Sequence, residues 1–233
     1  VLDALSVVEV ETLAAFVPAS LALILAPGPD TIYVLSQSVG ARRRVGVAAA
    51  AGVSVGVLVH TAAAAVGLSV LLRESTLAFR LVKYLGAAYL VYLGVRTLRG
   101  TDAERSEPPS HDVDAGPVES VSGVDGTRRD ALSTRAQSGF LRGVAVNVSN
   151  PKVALFFLAF LPQFVGGSGT TAQLATLGSV YATLTLAYLG GVALFATRVG
   201  ALVGDGGGGR AFRWLSGGAL LALGGSLLVE TNA

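Results

Sequence analysis

The chain has 233 residues, of which 52% are hydrophobic and only 14% charged, with a formal net charge of +2. Soluble domains carry charge at about a quarter of their positions, so a water-facing exterior is excluded, and the mean hydropathy of +0.64 fits an exterior that faces lipid. Cysteine is missing altogether, which excludes a disulfide framework, a thiol nucleophile and a thiolate metal site.

Taken in chain order against the requirement for about 20 apolar residues, six segments are predicted to span a bilayer. The first runs from about Thr12 to Leu35 and is interrupted by APGPDTIYV, residues 26–34. Pro27 and Pro29 each lack an N–H, and each ring clashes with the carbonyl one turn earlier. Gly28 permits a turn or a close approach. The break frees backbone groups that hydrocarbon cannot satisfy, and Asp30 falls at the start of a second half-helix. There its carboxylate either caps exposed amides or serves a substrate or proton.

The second span, about Val45 to Leu72, is almost wholly small and apolar, with His60 midway. That ring is either a proton carrier or a neutral partner for a neighbouring helix. Span three, about Leu77 to Val95, carries Arg80 and Lys83 in its first turns, where long basic side chains can reach the headgroups.

Residues 100–138 are rich in Asp, Glu, Ser, Gly and Pro and are expected to form a disordered cytoplasmic linker. The linker separates a first half, 1–99, from a second, 139–233. His111 beside Asp112 is one histidine among acids, which is no metal site by itself.

Span four, about Val144 to Val165, contains NVSNPK, with Asn147, Asn150, Pro151 and Lys152. Spans five and six, about Leu174 to Thr197 and Phe212 to Val229, complete the set. GDGGGG at 204–209 has neither a GKS/T ending nor a preceding strand, and reads as a turn rather than a phosphate loop.

Basic residues cluster after spans one, three and five: Arg42 to Arg44, then Arg96 to Arg142, then Arg198 to Arg213. Positive loops stay inside, so both termini are expected on the outer side of the cell (inner) membrane. The leading residues are acidic rather than basic, so insertion is expected to use the spans rather than a cleaved signal. The arginine clusters beside spans lack interleaved aromatics, so no nucleic-acid partner is expected.

The fold class expected is all-α: a polytopic membrane protein of six transmembrane helices, arranged as two inverted three-helix halves with the first helix of each half broken. Matched interruptions in two halves point to a transporter binding site. Asp30 and Lys152 bring opposite charges to the two breaks, at a cost of roughly 2.5 to 3.5 kcal/mol each if unpaired at the bilayer centre. For Lys152 the structural alternative is snorkelling to the cytoplasmic interface. Asn147 and Asn150 either line the cavity or satisfy freed carbonyls. Tyr33, Gln37 and Gln163, with His60, are accessory candidates. Gly52 with Gly56 and Gly139 with Gly143 form GxxxG pairs, whose first reading is close helix packing and whose second is a homodimer face.

PGPD at 27–30, the set Gly143, Asn147, Asn150-Pro151-Lys152, Phe156-Phe157 and Leu161 to Phe164, and KYLGAAYLVYLGVRTLR at 83–99 together resemble the LysE/RhtB family of amino-acid exporters. The resemblance implies a secondary transporter that exports amino acids or related small metabolites by proton antiport, with no cofactor and no covalent chemistry. Three alternatives remain: export of another small solute or cation, which would need more converging ligands; an intramembrane enzyme, for which Ser149 and Lys152 are present but only the lysine is distinctive; and a non-transporting scaffold, which would explain the glycines but not two charged breaks.

Overall fold

The computed structural model describes residues 8–26, 28–38, 43–74, 76–99, 125–166, 170–196 and 208–229. Pro27, most of the expected linker and the first four residues of GDGGGG lie outside the described residues. Every regular element among those described is helical. In chain order they are α1 (Val10–Leu25), α2 (Pro29–Ser38), α3 (Arg43–Glu74), α4 (Thr76–Arg99), α5 (Asp125–Val148), α6 (Pro151–Leu155), α7 (Thr170–Leu194) and α8 (Gly208–Val229). A π-helical turn at Phe156–Phe160 and a 3₁₀ turn at Leu161–Phe164 continue α6.

Among the described residues, two helical segments are long and apolar enough to cross a membrane, Arg43–Gly67 and Thr170–Leu194. Four qualify when each bent pair is taken as one span: Val10–Leu25 with Pro29–Ser38, bent by 60°, and Leu132–Val148 with Pro151–Phe164, bent by 50°. α4 has 24 residues but includes Arg80, Lys83, Arg96 and Arg99, and α8 has Arg210 and Arg213 in its first turns. Helix length and hydropathy thus carry the fold to four spans, short of the six expected. Leu58, Val59 and Val66 on α3, Leu81 and Leu85 on α4, and Leu186 and Leu194 on α7 are all exposed, an outer surface suited to acyl chains.

The linker ends earlier than expected. α5 begins at Asp125, so residues 125–138 are helix. From Thr127 to Ser138 the chain has neither proline nor glycine, and seven of its twelve residues are Arg, Ala, Leu or Gln, all good helix formers. For the same reason the fourth interrupted segment starts well before Val144. Its break lies in the middle of a bent pair rather than near the start of a span.

α3 packs against both α5 and α7, and α4 packs along α8. The α3–α5 contact is close because it is made by glycine. A Cβ on Gly52 would run into the carbonyl of Phe140, and one on Gly143 would meet the carbonyl of Ala49. The two GxxxG pairs are therefore opposite sides of one crossing within the chain, where backbones approach through lack of side chains. The same crossing continues to Gly56, which lies against Asn147. Phe16, Leu23, Phe156, Phe157, Leu161, Leu174, Leu177 and Tyr181 form the main core.

The π turn follows from Pro162. A proline at that position has no N–H for a helical bond, and its ring excludes the Leu158 carbonyl. The Leu161 N–H reaches back five residues to the Phe156 carbonyl, the widened π register. Gln163 Nε2 donates to the Ala159 carbonyl at 2.9 Å, supplying a donor where the ladder is disturbed.

Candidate functional site

The two breaks meet. At the first, α1 stops at Leu25 and Ala26 is extended, with φ −61° and ψ 118°. α2 begins at Pro29, a first-turn position where the missing N–H costs nothing. Its first turn closes through Ile32 N–H to the Gly28 carbonyl at 3.1 Å. Asp30 therefore sits inside the first turn of α2 rather than at its cap.

The second break is built by Asn150. Its backbone leaves the helix at φ −79° and ψ 107°, Pro151 takes the first position of α6, and the Asn150 side-chain oxygen accepts from the Lys152 backbone N–H at 3.0 Å. This is an N-cap with a proline behind it. On the other side of the break the Asn147 carbonyl accepts from Asn150 N–H at 2.9 Å.

Each break then satisfies the other. Asn147 Nδ2 and Asn150 Nδ2 both donate to Asp30 Oδ2, each at 3.0 Å. In return Lys152 Nζ donates to the carbonyls of Leu23, at 3.1 Å, and Ala26, at 2.8 Å. Those are end carbonyls of α1, orphaned by the break, and a cation there also meets the negative end of the helix dipole. Asp30 and Lys152 are each only 8% exposed, and Asn147 and Asn150 are at 0% and 2%. Lys152 thus turns inward and does not snorkel.

Of the accessory candidates, His60 joins the network. Its Nε2 lies 3.1 Å from the Asn147 carbonyl, so that nitrogen carries the proton of this bond. Its ring stacks on Phe157 with centroids 6.0 Å apart. Tyr33 stands apart, donating its hydroxyl to the Gly139 carbonyl at 2.8 Å. Gln163 serves the π turn, and Gln37 is half-buried.

A cavity of about 20 Å³ lies at the junction, lined among others by Asp30, Asn147, Lys152, Tyr181, Thr185 and Tyr188. Tyr33, Gln37, His60 and Gln163 do not line it. That volume is room for about one water molecule. Thr31, Tyr181, Thr185 and Tyr188 carry no signal in the sequence. The last three belong to α7, an otherwise apolar span in which isolated hydroxyls do not stand out.

Paired bent helices with buried, oppositely charged side chains at their breaks define a multi-pass membrane protein built around an intramembrane polar site. The chain belongs to the LysE type translocator family, whose model matches residues 21–231. It is 28% identical over 182 residues to the membrane protein YrhP of Bacillus subtilis, a match covering 75% of this chain and 78% of that protein. It is 35% identical over 143 residues to an uncharacterized membrane protein of Pseudomonas aeruginosa, covering 61% of this chain and 59% of the relative. It is 32% identical over 145 residues to the leucine efflux protein of Salmonella typhimurium, covering 61% of this chain and 58% of that protein. The last two matches span less than two thirds of those relatives. No solved structure matches the chain.

Proposed function

We propose that the chain is a secondary transporter exporting amino acids or related small metabolites from the cytoplasm by proton antiport, and that it is not an enzyme. In this reading it sits in the cell (inner) membrane as six spans in two inverted halves, α4 and α8 completing the count, with basic loops inside and both termini outside.

One observation carries the proposal: the reciprocal tie between the two breaks. Asp30, from the first, is held by two asparagines of the second, while Lys152, from the second, caps the helix end of the first. Opening the cavity to either side must loosen some of these bonds. Hydrogen bonds to charged groups contribute roughly 1.5 to 3 kcal/mol each, so they break only when a group of matching chemistry takes their place. An amino acid brings both kinds. Its ammonium group pairs with Asp30, and its carboxylate competes with the Leu23 and Ala26 carbonyls for Lys152. A proton on Asp30 would weaken the hold of the amides, since a neutral carboxyl group accepts less strongly than a carboxylate, which gives antiport its chemistry: proton and ammonium occupy the same carboxylate in turn. The Salmonella relative's name, a leucine efflux protein, supports an amino acid as cargo. Proline at both breaks, with Gly28 at the first, lets the two arms of each pair swing, and the halves rock around a fixed site.

The test is efflux from proteoliposomes loaded with a panel of radiolabelled amino acids, with and without an imposed pH gradient. The reading predicts release of at least one amino acid, accelerated by the gradient. No release of any amino acid under either condition refutes it.

A further inference from the structure

Helical Ser and Thr side chains ordinarily satisfy themselves by bonding the carbonyl one turn back, and α7 shows the habit three times. Thr176 donates to Ala172, Ser179 to Ala175 and Thr183 to Ser179, at 2.9, 2.7 and 2.8 Å. Thr185 does not. Its Oγ1 is buried without a hydrogen-bond partner, in a residue only 4% exposed, and the side chain lines the cavity beside Asp30. The other carboxylate oxygen of Asp30, Oδ1, is buried and unpartnered as well.

Asn147 Oδ1 and Ser20 Oγ are also buried without partners, but neither belongs with this pair. Asn147 Oδ1 would lie 2.8 Å from a Cβ on Gly56, so it is turned toward α3. Ser20 does not line the cavity. A buried polar group without a partner costs roughly 1 to 3 kcal/mol, and two such groups on residues that line one small cavity have a common remedy. Both oxygens can accept, one carries negative charge, and the space suits a head group the size of water.

We infer, resting on the transport reading above, that Asp30 Oδ1 and Thr185 Oγ1 form the subsite for a primary ammonium group whose attached aliphatic carbon lies against Ile24, Val153 and Leu189. The ammonium group donates one N–H to each oxygen. Thr185 is then a specificity-determining residue: it counts donors. A quaternary ammonium has the charge and no N–H to donate. An alcohol has the donor and no charge.

The experiment is thermal unfolding of the detergent-solubilised chain with 3-methylbutylammonium, its N,N,N-trimethyl derivative, 3-methylbutan-1-ol or sodium chloride at equal concentrations. The wild type is expected to be stabilised by the primary amine alone. Thr185→Val removes an unsatisfied hydroxyl at constant shape, so its unliganded unfolding temperature should equal or exceed the wild type. Its apparent affinity for the amine should fall by about tenfold or more, and Thr185→Ser should restore it. Equal stabilisation of the wild type by the trimethyl derivative or by sodium overturns the inference, as does an unchanged amine response in Thr185→Val. The ligand series on the wild type decides the matter even if the valine variant fails to fold. No amine response in the wild type also overturns it. Absence of amino-acid efflux from proteoliposomes would instead sink the transport reading and leave this binding result standing.

Discussion

Gly56→Ala is the perturbation that reads the packing behind the site. The added methyl would lie 2.7 Å from Asn147 Cβ, 2.8 Å from its Oδ1 and 3.1 Å from its Cγ. Carbon atoms pack at about 3.5 to 4.0 Å, so the contact must open by close to an ångström. Asn147 Cβ is fixed to the α5 backbone and cannot swing away as a chain end would. Either α5 moves off α3, loosening the crossing at Gly52 and Gly143, or the amide rotates and abandons Asp30. Overpacking of this kind costs about 1 to 3 kcal/mol, and loss of the amide's bond to a charged group is of the same order. Gly67→Ala on the same helix is the control, because a Cβ there meets nothing within 4 Å, and alanine favours a helix over glycine by about 1 kcal/mol. Thermal unfolding in detergent should place Gly56→Ala well below the wild type and Gly67→Ala at or above it, with efflux reduced at least tenfold only in the former. Equal unfolding temperatures for the two alanine variants would refute the claim that Gly56 exists to seat Asn147.

Two other substitutions separate the strands of the network. Lys152→Met removes the cation from the end carbonyls of α1 while keeping most of the side-chain bulk; unfolding should be easier by about 1.5 to 3 kcal/mol, measured by thermal or denaturant melts in detergent. Asn150→Asp keeps the oxygen that caps the Lys152 N–H but sets a carboxyl group where an amide now donates to Asp30. Efflux at neutral pH should be lost, and Asn150→Ser, which retains a capping oxygen without the second charge, should be the milder lesion in the same assay.

Some of the site was legible in the chain and some was not, for physical reasons. Pro27, Pro29 and Pro151 announce breaks because proline has one effect on a helix wherever it stands, and the carboxylate and amine beside them stand out against an apolar background. The pairing across the breaks was not legible. Whether Lys152 turns inward or snorkels depends on where the span begins, and hydropathy puts that beginning at Val144, while the helix starts at Asp125. Charged residues such as Arg128, Arg135 and Arg142 depress the hydropathy of α5 without preventing a helix. The packing role of Gly52, Gly56, Gly139 and Gly143 could be expected from their spacing, but that the two pairs face each other could not. The π turn hides behind a single proline, Pro162. Thr185 is invisible for the simplest reason: a threonine in an apolar helix looks self-satisfied until its neighbours are seen.

The most direct test of the shared-site account is Asp30→Asn. The amide keeps the shape of the carboxyl group, lacks its charge and cannot take up a proton at physiological pH. Efflux of the exported amino acid should be abolished in proteoliposomes holding the variant at wild-type abundance, with and without a pH gradient. Undiminished, gradient-stimulated efflux by the inserted variant would contradict it.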